Sequence, residues 1–99
     1  MYSIETRVKT ANASRYLLQL CKHWAHRMPV TFTPTEAHVP FSADNVCLMG
    51  ADDSGLALRI DAVDASEASR LGNVVVTHLQ RFAFREGLEQ PVWRIAAAA

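Results

Sequence analysis

Between residues 2 and 82 the spacing of apolar side chains switches from two to 3.6, back to two, and again to 3.6. Few architectures satisfy all four segments at once. Tyr2, Ile4, Thr6 and Val8 alternate with Ser3, Glu5, Arg7 and Lys9, the pattern of a half-buried strand. Asn12 is a residue that caps helix starts. From there to about Arg27, Ala13, Leu17, Leu20, Cys21, Trp24 and Met28 form one helical stripe, with Arg15, Gln19, Lys22 and His26 opposite. Pro29 marks the end, because the residue before proline avoids helical geometry.

Extended segments follow at Val30–Thr33 and Ala37–Phe41, where Pro40 has no amide hydrogen and belongs at an edge or a bulge. Val46–Ala51 and Leu56–Ala62 flank the Asp52-Asp53-Ser54-Gly55 turn, the clearest hairpin in the chain, with Gly55 expected at positive φ. Asp64-Ala65-Ser66-Glu67 reads as a capping box, with Glu67 placed to reach back to the cap amide. The second helix runs to about Glu86 and Gly87 stops it. Its apolar stripe is Ala68, Leu71, Val75, Leu79 and Phe82. Gly72 and the run Val74–Val76 lower its helix propensity, so packing must hold it. Val92–Ile95 reads as a last short strand and Ala96–Ala99 as a frayed end.

Each good strand has one apolar face and each helix one apolar stripe. The economical solution is an α+β fold: an antiparallel sheet of about five strands with both helices on one face, in the order β-α-β-β-β-β-α, as one domain over residues 1–99. The other sheet face is expected to show Glu5, Arg7, Cys47, Met49, Arg59 and Asp61, a candidate dimer or partner surface. With 49% apolar and 20% charged residues the chain is globular. Two cysteines, with no export signal at the start, predict reduced thiols in the cytoplasm, and no stretch is long enough to span a bilayer. Residues 1–35 carry a net +4, residues 36–69 a net −6 and residues 70–99 a net +2. Intramolecular pairing accounts for that pattern, which argues against a broad nucleic-acid surface.

Two segments, Ala13–Arg27 with its Cys-Lys-His-Trp-Ala-His run and Thr77–Glu86 with His-Leu-Gln-Arg-Phe-Ala-Phe-Arg-Glu, carry a resemblance. Over nearly its whole length the chain resembles the small bacterial proteins of domain-of-unknown-function family 2218. The resemblance implies a compact α+β domain like the sheet-and-two-helix fold of TATA-box-binding proteins. It also implies an association with siderophore-interacting, flavin-dependent ferric reductases as partners. It carries over no catalytic residue. Gly72-Asn73 and the alanine-rich end depart from the family pattern and put the local geometry of the second helix in question.

His23 and His26, three apart on the first helix, are surface neighbours. They are either two solvated imidazoles or two ligands of a divalent metal that needs a third from elsewhere. His78 falls on the apolar stripe of the second helix, so its ring needs a partner: Tyr16, a backbone carbonyl, Glu67 or Glu86. Side-by-side helices would bring His78 to His23, giving His23, His26 and His78 as the candidate metal set and Cys21 as a further neighbour. Arg81, Arg85 and Glu86 flank Phe82 and Phe84, either as a salt-bridged helix end or as a grip for a carboxylate or phosphate. His23, His78, Arg81, Arg85 and Tyr16 are therefore the candidate ligand residues.

Cys21 and Cys47 are expected on different sides of the sheet and chemically inert. Trp24 and Phe82 are expected to anchor the core. No phosphate loop, nucleophile elbow or zinc-type cysteine pair is present. The leading expectation is an accessory module for a small ligand or a protein partner in iron-siderophore handling, with no cofactor beyond an optional metal and no nucleic-acid or membrane partner. The alternatives are a metal-dependent or acid–base enzyme using the helix histidines, and a structural homodimer.

Overall fold

The computed structural model describes residues 1–96. In chain order it contains β1 (Tyr2–Lys9), α1 (Ala13–Trp24), β2 (Thr31–Phe32), β3 (Glu36–Ser42), β4 (Asn45–Ala51), β5 (Gly55–Ala62), α2 (Ala65–Phe82) and β6 (Arg94–Ile95). The strands form one antiparallel sheet in the order β2-β3-β4-β5-β1-β6. Six strands pair, two of them only two residues long at the sheet edges. Both helices lie on the same face, as their single stripes require: α1 covers β3, β4 and β5, and α2 covers β5 and β1.

Between the layers lies a core of Ile4, Leu17, Leu20, Cys21, Trp24, Val39, Leu56, Leu58, Ile60, Leu71, Val75 and Leu79, all buried. Pairing partners in antiparallel strands point to one face. The rows Val39–Cys47–Ile60–Ile4 and Ala37–Met49–Leu58 therefore both face the helices. Cys47 and Met49 are inside, with 0% and 4% of their surface exposed, and Val46 and Leu48 are outside. The expected phase of this strand is thus shifted by one residue. Val46-Cys47-Leu48-Met49 is apolar without a break, so alternation cannot phase it, and the β5 register decides. Glu5, Arg7, Arg59 and Asp61 do lie on the outward face.

Gly55 also departs from expectation. Among the described residues Gly87 alone has positive φ, at 65°. A Cβ on Gly55 would stand 2.8 Å from the Val8 carbonyl oxygen, so glycine is needed there for the close approach of β1. The turn itself is tied by Asp52, whose Oδ1 accepts the amides of Ser54 and Gly55 and whose carboxylate pairs with Arg7 at 2.6 Å. Pro40 sits where the β3–β4 register shifts, beyond the reach of β2.

The helices end earlier than their stripes suggest, α1 at Trp24 and α2 at Phe82, and turns carry the chain on to Met28 and to Gly87. Asp64 caps α2 by accepting the Glu67 amide at 2.9 Å. The reciprocal arm does not form, because the Glu67 carboxylate pairs with Arg70 one turn on. Gly72 has a packing reason: the Trp93 indole lies against it, 3.2 Å from where a Cβ would be. Of the alanine-rich end, Ala96 is buried and donates its amide to the Ser3 carbonyl at 2.9 Å. Residues 97–99 lie outside the described residues. No helix among the described residues is long and apolar enough to cross a membrane.

Candidate interhelical site

The C-terminal half of α1 meets the C-terminal half of α2, and their exposed edges form a seam. His23 and His78 meet across it with ring centroids 5.1 Å apart. Around them, Trp24 lies 5.4 Å from His78, Phe82 6.0 Å from His23, and Phe41 5.2 Å from Trp24 on the sheet side. The predicted encounter of the two histidines takes place. His78 is only half-buried, on the flank of α2, because Val76 and Gly72 share the buried side of the helix with Val75 and Leu79. Its partner is the Val74 carbonyl, 2.7 Å from Nδ1. A carbonyl only accepts, so Nδ1 carries the proton and Nε2 keeps its lone pair or is charged. The imidazole of His23 is exposed at its rim. Partial desolvation against the other rings, then the charges of His78, Arg27, His26 and Arg81, hold its pKa below the ordinary value.

Among the described residues no three His, Cys, Asp or Glu side chains are arranged to hold a metal ion. The candidate set His23, His26 and His78 is therefore not assembled in this arrangement. Cys21 does not join the histidines either. It is buried in the core on the same side of the sheet as Cys47, near enough for charge on one thiol to bear on the other. Both thiols are free. Burial pushes Cys21 up to about 11 and Cys47 higher still, the opposite of a reactive cysteine.

Tyr16 and Arg85 lie further along the same seam, past Phe82. There a cleft of about 520 Å³ is lined by Asn12, Arg15, Tyr16 and the segment from Phe82 to Glu86. Glu86 organises it. Its Oε1 accepts from the Tyr16 hydroxyl at 2.6 Å and from Asn12 Nδ2 at 3.1 Å, and the Thr10 hydroxyl faces the same carboxylate. Asn12 thus marks the start of α1 without capping it by its side chain. Those donors, Tyr16 first, then Thr10 and Asn12, hold the Glu86 carboxyl below the usual carboxylate range. Burial, and then Glu86, raise Tyr16. Arg85 lies over the Phe84 ring at 5.6 Å. Gln19, a helical turn from both Arg15 and His23 on α1, has a shielded Oε1 with no partner.

Because folding depresses the pKa of Glu86, this tie adds stability that is fully present above the ordinary carboxylate pKa and fades as pH falls through the folded value. Glu86→Ala is expected to cost about 1 kcal/mol at neutral pH, a modest figure because water reaches the exposed carboxylate. Urea unfolding of both proteins should show that difference shrinking as pH falls below the ordinary carboxylate range.

The arrangement gathers cations and leaves no acid uncommitted. Residues 12–35 contain Arg15, Lys22 and Arg27 and no acid, and residues 68–85 contain Arg70, Arg81 and Arg85 and no acid. Of the residues singled out from sequence, His23 and His78 meet across the seam, Tyr16 and Arg85 line the cleft, and Arg81 does neither, bearing on His23 through its charge. Sequence reasoning missed Arg15 and Asn12 as cleft residues, because their place depends on where the chain runs after Phe82, a turn with no periodic signal.

A bacterial family model described as "Uncharacterized protein conserved in bacteria (DUF2218)" matches residues 5–94. The NMR structure of PA4090 from Pseudomonas aeruginosa is similar throughout, with 34% sequence identity, a TM-score of 0.80, and 95% of this chain and 96% of that chain covered. No curated protein matches the chain.

Proposed function

The chain belongs to the uncharacterised bacterial family DUF2218, and from that premise we propose that it is an accessory domain that binds a small anion in its interhelical cleft. One observation carries this reading. The cleft of about 520 Å³ is rimmed by Arg15 and Arg85, and the one carboxylate within it, Glu86, is already engaged by hydrogen-bond donors. Guanidinium groups suit carboxylate or phosphate oxygens. Across Phe82, the Arg81 guanidinium extends the same positive field towards His23. The charge also weighs against a bare metal cation, which Arg27 and Arg81 would repel. Anionic ferric chelates are the ligand class that fits the siderophore association implied by the sequence resemblance, with a ferric reductase as the partner the domain would serve in the cytoplasm.

Citrate, free and as its ferric chelate, is the probe. Titration of the labelled protein, followed by amide and imidazole NMR signals, is expected to move Tyr16, His23, Phe82 and Arg85 in one saturable step and to raise the pKa of His23. Arg15→Gln with Arg85→Gln should weaken binding at least about 100-fold, since each lost charged contact is worth about 1.5–3 kcal/mol. If neither probe moves those signals at millimolar concentration, the reading fails.

A further inference from the structure

On four strands the outward sheet face carries, two residues apart, side chains that complement each other: Glu5 and Arg7 in β1, Glu36 and His38 in β3, Leu48 and Gly50 in β4, Arg59 and Ala57 in β5. The register sets them in two neighbouring rows. One reads Glu5–Arg59–Leu48–His38 and the other Arg7–Ala57–Gly50–Glu36. The first row is tall throughout. The second is low in the middle, where hollows of about 560 and 290 Å³ share Leu48, Met49 and Gly50 as lining. A Cβ on Gly50 would meet nothing nearer than the Thr35 oxygen at 4.0 Å, so the space above it is open.

The charged positions have capacity to spare: Glu5 is paired only through Oε1, with Arg94 Nε at 3.5 Å. Among the described residues Glu36 and His38 have no side-chain partner. Arg7 uses only Nη2 on Asp52 and Ser54, and Arg59 only Nε on Asp61.

We propose that this face is the interface of a homodimer, with a two-fold axis lying in the interface and running across the strands between the two rows. That operation lays each row on the other. Leu48 enters the hollow over the partner's Gly50, Arg59 covers the partner's Ala57, Glu5 meets the partner's Arg7, and His38 meets the partner's Glu36. Each contact occurs twice, as an isologous interface requires, and two sheets packed this way keep their strands near alignment. A second copy is the occupant because the complementarity lies within the face itself: large beside small and acid beside base at the same spacing in every one of the four strands. At strand and residue spacings of about 4.8 and 3.4 Å the face measures roughly 25 by 20 Å. That is the lower end of specific contacts, so the dimer is expected to dissociate at micromolar concentration.

Light scattering and sedimentation from micromolar to millimolar protein are expected to show the mass passing from one chain to two. Gly50→Leu sets leucine against leucine and is expected to hold the protein at monomer mass. Glu36→Lys, a change on the open surface, should raise the dissociation constant about 10-fold, and adding His38→Glu should restore it. Circular dichroism checks that each variant is folded. A monomer at every concentration, or a dimer that tolerates both Gly50→Leu and Glu36→Lys, overturns the proposal.

Discussion

Cys47→Asp is expected to destabilise the fold severely, while Leu48→Asp leaves it close to the parent. Cys47 is fully buried between Val39 and Ile60, under α1. An aspartate there would place a carboxylate among apolar side chains with no cation in reach. Leaving such a charge unpaired costs about 3–5 kcal/mol, much of the total stability of about 5–15 kcal/mol expected for a domain of this size. Leu48 points the other way and is paired with Arg59. Aspartate at 48 would meet that guanidinium in water, for a loss of about 1 kcal/mol or less. Circular dichroism and urea unfolding of the two variants separate the cases. The opposite outcome, with position 47 tolerant and position 48 intolerant, would mean that β4 is turned over. The same burial predicts that neither thiol reacts with an aromatic disulfide reagent until the protein unfolds.

Gly55→Val is expected to cost about 2–3 kcal/mol, the upper part of the range for forcing atoms into a filled site. The obstruction is backbone. The Val8 carbonyl lies 2.8 Å from the added Cβ, and the Arg7 side chain lies at 3.0 Å. Relief requires β1 to retreat from β5, which strains the Lys9–Gly55 pairing and the hydrogen bond from the Thr10 amide to the Ser54 carbonyl. Gly55→Ala should already show most of the effect, because the first carbon makes the contact. Gly50→Ala is the control, expected within about 0.5 kcal/mol of the parent because its Cβ enters open space. Thermal melts of the three variants test the ranking, and a Gly55→Val protein as stable as the parent would refute the close approach.

The legible part of this fold was the part written in periodicity. Tyr2–Lys9 alternates cleanly, and its faces are where alternation puts them. The two helical stripes lie against one side of the sheet, as single stripes must. Illegible from spacing alone was the phase of β4, where four apolar residues in a row fit either face. The reason for Gly55 was equally hidden, since a glycine after Asp-Asp-Ser looks the same whether it bends the chain or admits another strand. In the site, helical spacing put His23 and His78 on edges that meet once the two helices lie side by side, as they do. The Tyr16–Glu86 tie and the arginines around it depend on the return of the chain after Phe82, where turn follows turn. His78 misled by a few tens of degrees around the helix: Trp93, packed on Gly72, claims part of the surface that the apolar stripe assigned to the core.

The interior position of β1 sets an order of assembly. Its partner on one side is β5, pairing Tyr2 with Ala62 and Lys9 with Gly55, and on the other side β6 near the end of the chain. β1 therefore has nothing to pair with until β5 has been made, long after it in the sequence, and such distant pairing slows folding. The β3–β4–β5 meander is free to form early and present a bare edge, onto which the N-terminal strand docks late. During synthesis that waiting edge is the point at which a chaperone, or a neighbouring nascent chain, would find this protein.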